Sequence, residues 1–175
     1  MPNRGDTIFI DTCAMEGAHA CNCWNAIHKN YKLKTEDFCI QEATRRNRTG
    51  NKLIKRDPEE LRKEMECLEC LPEDVLELGE LLHDVVDLDT GERRLLALAL
   101  KHPAVWLLCG PDIGTLRALL HLSQHGKPAS MDNMCSLEAM TKALGMRTAF
   151  EGKELYKLSE KWLLTTRMDL LSGLK

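Results

Sequence analysis

The sequence predicts an α/β protein, a three-layer α/β/α sandwich around a central parallel sheet of four to five short strands. Two observations carry that expectation. Short apolar runs, among them Thr7-Ile8-Phe9-Ile10 and Val105-Trp106-Leu107-Leu108-Cys109, alternate along the chain with segments of helical periodicity. Strand-like runs also pass straight into helix openings that carry an acid. Strand–helix alternation of this kind implies parallel strands joined by right-handed crossovers, which puts every strand-to-helix junction on one edge of the sheet.

The first strand delivers Asp11 to its carboxyl end, where open α/β sheets bind ligands. Asp11 can equally cap the helix that follows. Residues 14–28 read as that helix, and a connection with a short strand spans 31–38. Gln41-Glu42-Ala43-Thr44-Arg45 opens the next helix and presents Glu42. Arg45, Arg46, Arg48, Lys52, Lys55 and Arg56 then form the most basic stretch, with no acid between Glu42 and Asp57. Gly50 and the asparagines around it mark an exposed loop. Such a run is most often a solvated surface; beside a carboxylate cluster it becomes a phosphate-contacting arm.

Asp57-Pro58-Glu59-Glu60 combines an Asp N-cap, a proline at the first helical position and acids in the first turn, and predicts a helix to about residue 70. Pro72 starts another, with Val75, Leu78, Leu81 and Leu82 as its apolar stripe. Residues 84–88 read as a short strand leading into Asp89-Thr90-Gly91-Glu92 and a helix over 93–101. The strand over 103–109 ends in Gly110-Pro111-Asp112, with a helix over 113–122 behind it. Gly126-Lys127-Pro128 breaks the chain, and a weak last strand is expected over 129–131. A helix over 136–144 stops at Gly145, and a long helix is expected over 151–171.

At 175 residues the chain is long enough for a single core, and it reads as one domain with a helical insertion at about 57–83 and a C-terminal helix at about 151–172. Its 43% hydrophobic and 29% charged residues are those of a globular protein. A net charge of −3 argues against nucleic-acid binding through overall charge and allows a local basic patch. The N-terminus lacks the apolar core of a signal peptide, no run has transmembrane length, and eight cysteines are too sparse for a disulfide scaffold. A cytoplasmic protein with reduced thiols and no membrane contact is the expectation.

If the junctions share an edge, Asp11, Glu42, Glu92 and Asp112 converge, with Asp89 able to replace or support Glu92. Carboxylates in one cleft raise one another's pKa, and a divalent cation relieves that repulsion. All-oxygen ligation suits Mg²⁺ or Mn²⁺. Such ions activate water and hold a phosphodiester for in-line attack.

These segments resemble those of PIN-domain ribonucleases. Ile8-Phe9-Ile10-Asp11-Thr12-Cys13 stands where that family has its first strand and acid. Cys39-Ile40-Gln41-Glu42 supplies the helix-opening Glu. Leu88-Asp89-Thr90-Gly91-Glu92 precedes an Ala/Leu-rich helix, and residues 105–112 take the place of the strand ending in the final acid. The resemblance spans residues 7–145 and implies a metal site of Asp11, Glu42, Glu92 and Asp112 and cleavage of single-stranded RNA. It also implies, for many relatives, an antitoxin partner or a homodimer. The chain departs from the pattern at Gly110, where relatives commonly carry Thr or Ser, and at Pro111.

A non-catalytic PIN-like module that binds nucleic acid or protein is the alternative. A haloacid-dehalogenase phosphatase would need a second Asp where Cys13 stands, and no glycine-rich dinucleotide fingerprint follows any strand. The groups His19-Ala20-Cys21-Asn22-Cys23 and Cys67-Leu68-Glu69-Cys70 read as thiols in a reducing environment rather than as a zinc site, which needs four convergent ligands. Cys13, beside Asp11, reads as a packing residue. His102 and His121 receive no role.

Overall fold

The computed structural model describes residues 1–45, 54–83 and 86–173. Five strands, β1 (Thr7–Ile10), β2 (Lys32–Glu36), β3 (Glu66–Leu68), β4 (Trp106–Cys109) and β5 (Met134–Cys135), form one sheet in the order β3-β2-β1-β4-β5. Every pairing is parallel.

Side chains alternate across the sheet and divide the core in two. Ile8, Ile10, Leu33, Cys109 and Cys135 face one layer. It is built from helices α1 (Thr12–Ala20), α2 (Trp24–Asn30), α3 (Asp37–Thr44) and α4 (Pro58–Glu64). Phe9, Trp106, Leu108 and Met134 face the other layer, which holds α5 (Pro72–Leu82), α6 (Thr90–Lys101) and α7 (Ile113–Gln124). The helix α8 (Leu137–Ala143) returns to the first layer; after the short α9 (Lys153–Tyr156), α10 (Glu160–Leu171) packs on the second. Each fully buried Ile, Leu or Phe contributes about 1.5–3 kcal/mol, so this alternation specifies the register.

The topology follows from crossover handedness. From β1 to β3 the chain moves one way with helices on one face; after β3 it crosses back with helices on the other face and continues to β5. The direction reverses between β1 and β4. There α1 and α7 leave the sheet toward opposite layers and open a crevice at the carboxyl ends of the strands.

Five expectations are corrected. Residues 14–28 form two helices, because Asn22 adopts a left-handed conformation (φ 54°) and turns the chain before α2. The helix expected to reach residue 70 ends at Glu64; Glu66–Leu68 instead joins the sheet edge, where Lys34 pairs with Glu66 across the β2–β3 register at 2.5 Å. Of the strand expected over 84–88, Asp84 and Val85 lie outside the described residues, and Val86, Asp87 and Leu88 run without strand pairing. The last strand is Met134–Cys135 rather than 129–131, preceded by a 3₁₀ turn at Met131–Asn133. The C-terminal helix is divided because Leu158 inserts into the first layer and Ser159 caps α10 anew, accepting from the Trp162 amide at 3.1 Å.

Candidate functional site

The crevice between β1 and β4 is built around Asp11. Its amide donates to the Cys109 carbonyl at 3.1 Å, extending the β1–β4 ladder by one step. On the other side, the Thr35 hydroxyl donates to the Ile10 carbonyl at 2.8 Å, fixing the backbone just before the acid. Asp11 Oδ1 accepts the Ala14 amide at 2.7 Å and so caps α1. Oδ2 is turned toward Gly110, where an added Cβ would stand 2.7 Å from it. The side chain therefore serves as a cap through one oxygen and faces the crevice with the other. Burial pushes the Asp11 carboxyl up to about 7; the Ala14 amide opposes that rise, and the charges of Asp112, Asp89 and Glu16 add to it.

Asp112 ends the β4 junction and caps α7, with Oδ1 accepting the Thr115 amide at 2.8 Å. Asp89 and Glu92 form a reciprocal capping box at the start of α6. Asp89 Oδ1 accepts the Glu92 amide at 2.9 Å, and Glu92 Oε2 accepts the Asp89 amide at 3.2 Å. The loop before α6 lies directly on the first turn of α7 because residue 114 is glycine: a Cβ there would meet the Asp87 carbonyl oxygen at 2.7 Å and Asp112 Oδ1 at 2.8 Å. That approach brings the Glu92 carboxyl under the influence of Asp112. Burial first, then the charge and hydrogen bond of Asp112, push Glu92 up to about 9.

Asp11, Asp89, Glu92 and Asp112 thus interact as one cluster. Glu42 stands at its outer edge. Its Oε2 accepts the Thr12 hydroxyl at 2.9 Å, and its Oε1 pairs with Arg45 at 3.0 Å. Glu16, one helical turn after Thr12, is a further acid that the sequence reading passed over; burial and the Glu42 charge raise its pKa, and Arg45 opposes them. The i, i+4 relation to Thr12 was the available signal. Cys13 is exposed, not the packing residue expected; desolvation by its crowded surroundings and the charges of Asp11, Glu16, Glu42 and Glu92 push its thiol far above the ordinary range, so it is a neutral thiol and no nucleophile. A cavity of about 270 Å³ opens alongside, lined by Cys13, Glu16, Pro111 and Lys157 among others.

The basic stretch is only partly described. Arg46, Arg48 and Lys52 lie outside the described residues. Arg45 pairs with Glu42, Lys55 is exposed, and Arg56 holds Glu64 through two bonds of 2.6 and 2.9 Å. Glu36, buried at the end of β2, is also an acid at this edge, but it pairs with Arg94 and accepts the Phe38 amide at 2.6 Å. It is neutralised within the fold.

The donor set of the cluster, all carboxylate oxygen and short of counter-charge, matches a hard divalent cation in kind. Among the described residues no group of three or more His, Cys, Asp or Glu side chains is placed to hold a metal ion. The two cysteine groups do not converge on one another. Cys21 and Cys23 donate to the Ala149 and Ala18 carbonyls, while Cys67 lies in β3 against Asp37. No described helix is long and apolar enough to cross a membrane.

No protein-family model matches the chain, and no curated protein matches its sequence.

Proposed function

We propose that the chain is a divalent-metal-dependent endoribonuclease that hydrolyses phosphodiester bonds of single-stranded RNA at Asp11, Glu92 and Asp112, with Asp89 supporting them and Glu42 at the rim. One observation carries this reading. Burial, with the charges of the acids gathered at the switch point of a parallel sheet adding to it, pushes Asp11 up to about 7 and Glu92 up to about 9, an arrangement that is unfavourable for a packed core and favourable for a cation site. Mg²⁺ or Mn²⁺ held there would supply a water of lowered pKa and a counter-charge for phosphate oxygens.

The protein's own groups have separable tasks in this scheme. Asp11 keeps Oδ1 on the Ala14 amide, so its orientation is set before any ligand arrives. Glu92, raised to about 9, must give up its proton when the cluster takes a cation, so binding is coupled to proton release. Arg45 and the exposed Lys55 belong to the described part of the basic stretch that follows Glu42, and they would offer contacts to an RNA backbone.

The test is cleavage of single-stranded RNA with Mn²⁺ by the wild type and by Asp11→Asn, with folding followed by circular dichroism. Loss of cleavage in a folded variant is expected; equal cleavage by both overturns the assignment. A second reading, a non-catalytic binding module, is favoured by the Glu92–Asp112 contact, which satisfies the pair without metal. Calorimetric Mn²⁺ binding that disappears in Asp11→Asn decides against it.

A further inference from the structure

A cavity of about 430 Å³ opens at the carboxyl ends of β2 and β3, on the same sheet edge as Asp11. Small-molecule sites span about 300–1,000 Å³, so it has room for one ring system. Phe38, Gln41, Leu68, Glu69 and Arg94 line it, together with the acids Glu36 and Asp37. It adjoins the acidic cluster at Gly91, where an added Cβ would lie 3.6 Å from Asp89 Oδ1 and 3.6 Å from the Phe38 ring. Phe38 is 36% exposed and belongs to neither core layer, so packing does not account for a large aromatic at this place.

Three polar groups of the cavity have hydrogen-bonding capacity left over. Glu69 is exposed, and its carboxylate has no hydrogen bond or ion pair among the described residues, so both oxygens are open acceptors. Arg94 uses Nη2 on Glu36 and on the Cys70 carbonyl, and its Nη1 has no partner among the described residues. Gln41 Nε2 donates to Asp37, which Arg62 also holds. An ionised carboxylate only accepts, so that bond fixes the Gln41 amide and leaves Oε1 as a further acceptor. The acids Glu36, Asp37 and Glu69 outnumber Arg94 here, so an uncharged group rather than a phosphate suits the cavity.

We propose that this cavity receives an unpaired guanine base of the RNA substrate, a proposal that rests on the ribonuclease reading of the neighbouring acids. Phe38 supplies a stacking face of the kind that holds single-stranded bases. The Watson–Crick edge of guanine carries one acceptor, O6, followed by two adjacent donors, N1–H and N2–H. The Glu69 carboxylate accepts both donors in parallel, and the Arg94 guanidinium donates to O6. Adenine and cytosine lack the ring N–H, and uracil carries a carbonyl on each side of its own. None of the three offers a carboxylate two adjacent donors, and a site built for a hydrogen bond rejects a ligand that cannot make it.

The probes are the four nucleoside 5′-monophosphates, titrated in EDTA into the full-length protein and followed by NMR of the backbone amides. Guanosine monophosphate is expected to bind at least about fivefold more tightly than the other three, as one bidentate contact provides, and to shift the amides of Phe38, Gln41 and Glu69. Phe38→Ala should weaken it about tenfold through lost stacking. Glu69→Gln keeps the shape but loses one acceptor, and should bring the four bases level. Both positions are exposed, so the fold tolerates either change. Asp11→Asn should bind guanosine monophosphate as the wild type does. Equal binding of the four nucleotides, or a guanine preference that survives Glu69→Gln, overturns the base pocket even if the protein cleaves RNA. Guanine-selective binding lost in Glu69→Gln upholds the pocket even if RNA is not cleaved, in which case the ribonuclease reading alone falls.

Discussion

Gly110 lies against the carboxylate of Asp11: a Cβ at residue 110 would stand 2.7 Å from Oδ2 and 2.9 Å from Cγ. The missing side chain at the end of β4 is therefore what leaves room for the acid at the end of β1. A hydroxyl-bearing side chain at this position would have no space. Gly110→Thr should accordingly lower activity rather than restore a ligand. Asp11 is held through Oδ1 by the Ala14 amide and has little freedom to retreat. Overpacking of this kind costs about 1–3 kcal/mol. Urea unfolding should show that loss, and Mn²⁺-dependent RNA cleavage should fall by at least about tenfold, as expected when a group in the site is displaced by about 1 Å.

The protonation of Asp11 sets the pH dependence of stability. Its carboxyl is raised in the folded protein from the ordinary 3.8 to about 7. Between those values the native state binds more protons than the unfolded state. Stability therefore falls as pH rises across that window and levels off above it. Glu92, raised from 4.5 to about 9, extends the fall on the alkaline side. Asp37, Asp74, Glu64 and Glu138 are lowered by their basic partners and act oppositely, but their stabilisation is lost only at acid pH, below the ordinary carboxylate range. Asp11→Asn should stabilise the protein at pH 7 by about 2–4 kcal/mol and flatten the slope between pH 5 and 7. Mn²⁺ should flatten the wild-type slope in the same way. Chemical unfolding at a series of pH values checks both; His19 and His121, lowered by burial, add stability as pH rises through the same range in wild type and variant alike, so a wild-type-minus-variant difference that does not change from pH 5 to 7 would rule out the buried protonated acid.

What was legible in the sequence was whatever local chemistry decides. Asp11 and Asp112 follow apolar runs, Asp57 precedes proline, and Asp89 and Glu92 have capping-box spacing; each of these features is complete within a few residues. A parallel sheet of four to five strands followed from the alternation of those features, and the sheet has five, one of them unforeseen. What was not legible depends on partners distant in the chain. Glu66–Leu68 carries no strand pattern of its own and becomes one by pairing with β2. The loop at 86–88 holds Glu92 against Asp112 through Gly114, not through a strand. His83 and His121 meet only because α5 packs on α7.

The buried ion pair of Glu36 and Arg94 ties the end of β2 to α6, and Arg94 also reaches the Cys70 carbonyl at 3.3 Å. Glu36 is 2% exposed, so removing its partner strands a charge in the core. Breaking such a pair costs about 3–5 kcal/mol when both groups are buried; the Arg94 guanidinium is partly exposed, which brings the expectation for Arg94→Ala to about 2–4 kcal/mol. Glu36→Gln, which removes the charge and keeps the Phe38 amide contact, should be milder. Urea denaturation of the two variants tests the order, and equal losses would show that packing rather than charge matters.

Gly114 supplies the sharpest test of how the cluster is assembled. In an exposed helix, Gly→Ala gains about 1 kcal/mol of helix propensity. At residue 114 the added Cβ meets a backbone atom, the Asp87 carbonyl oxygen at 2.7 Å, as well as Asp112 Oδ1 at 2.8 Å. A side-chain tip could swing away, but a backbone carbonyl cannot without moving the whole loop. The steric loss of about 1–3 kcal/mol therefore exceeds the propensity gain. Displacing the loop draws Glu92 away from Asp112, removing both the hydrogen bond and the nearest like charge. Carboxyl-detected NMR titration should find Glu92 near 9 in the wild type and lower in Gly114→Ala. An unchanged Glu92 titration in the variant would mean that burial alone raises it and that the α6–α7 contact is not what gathers the acids.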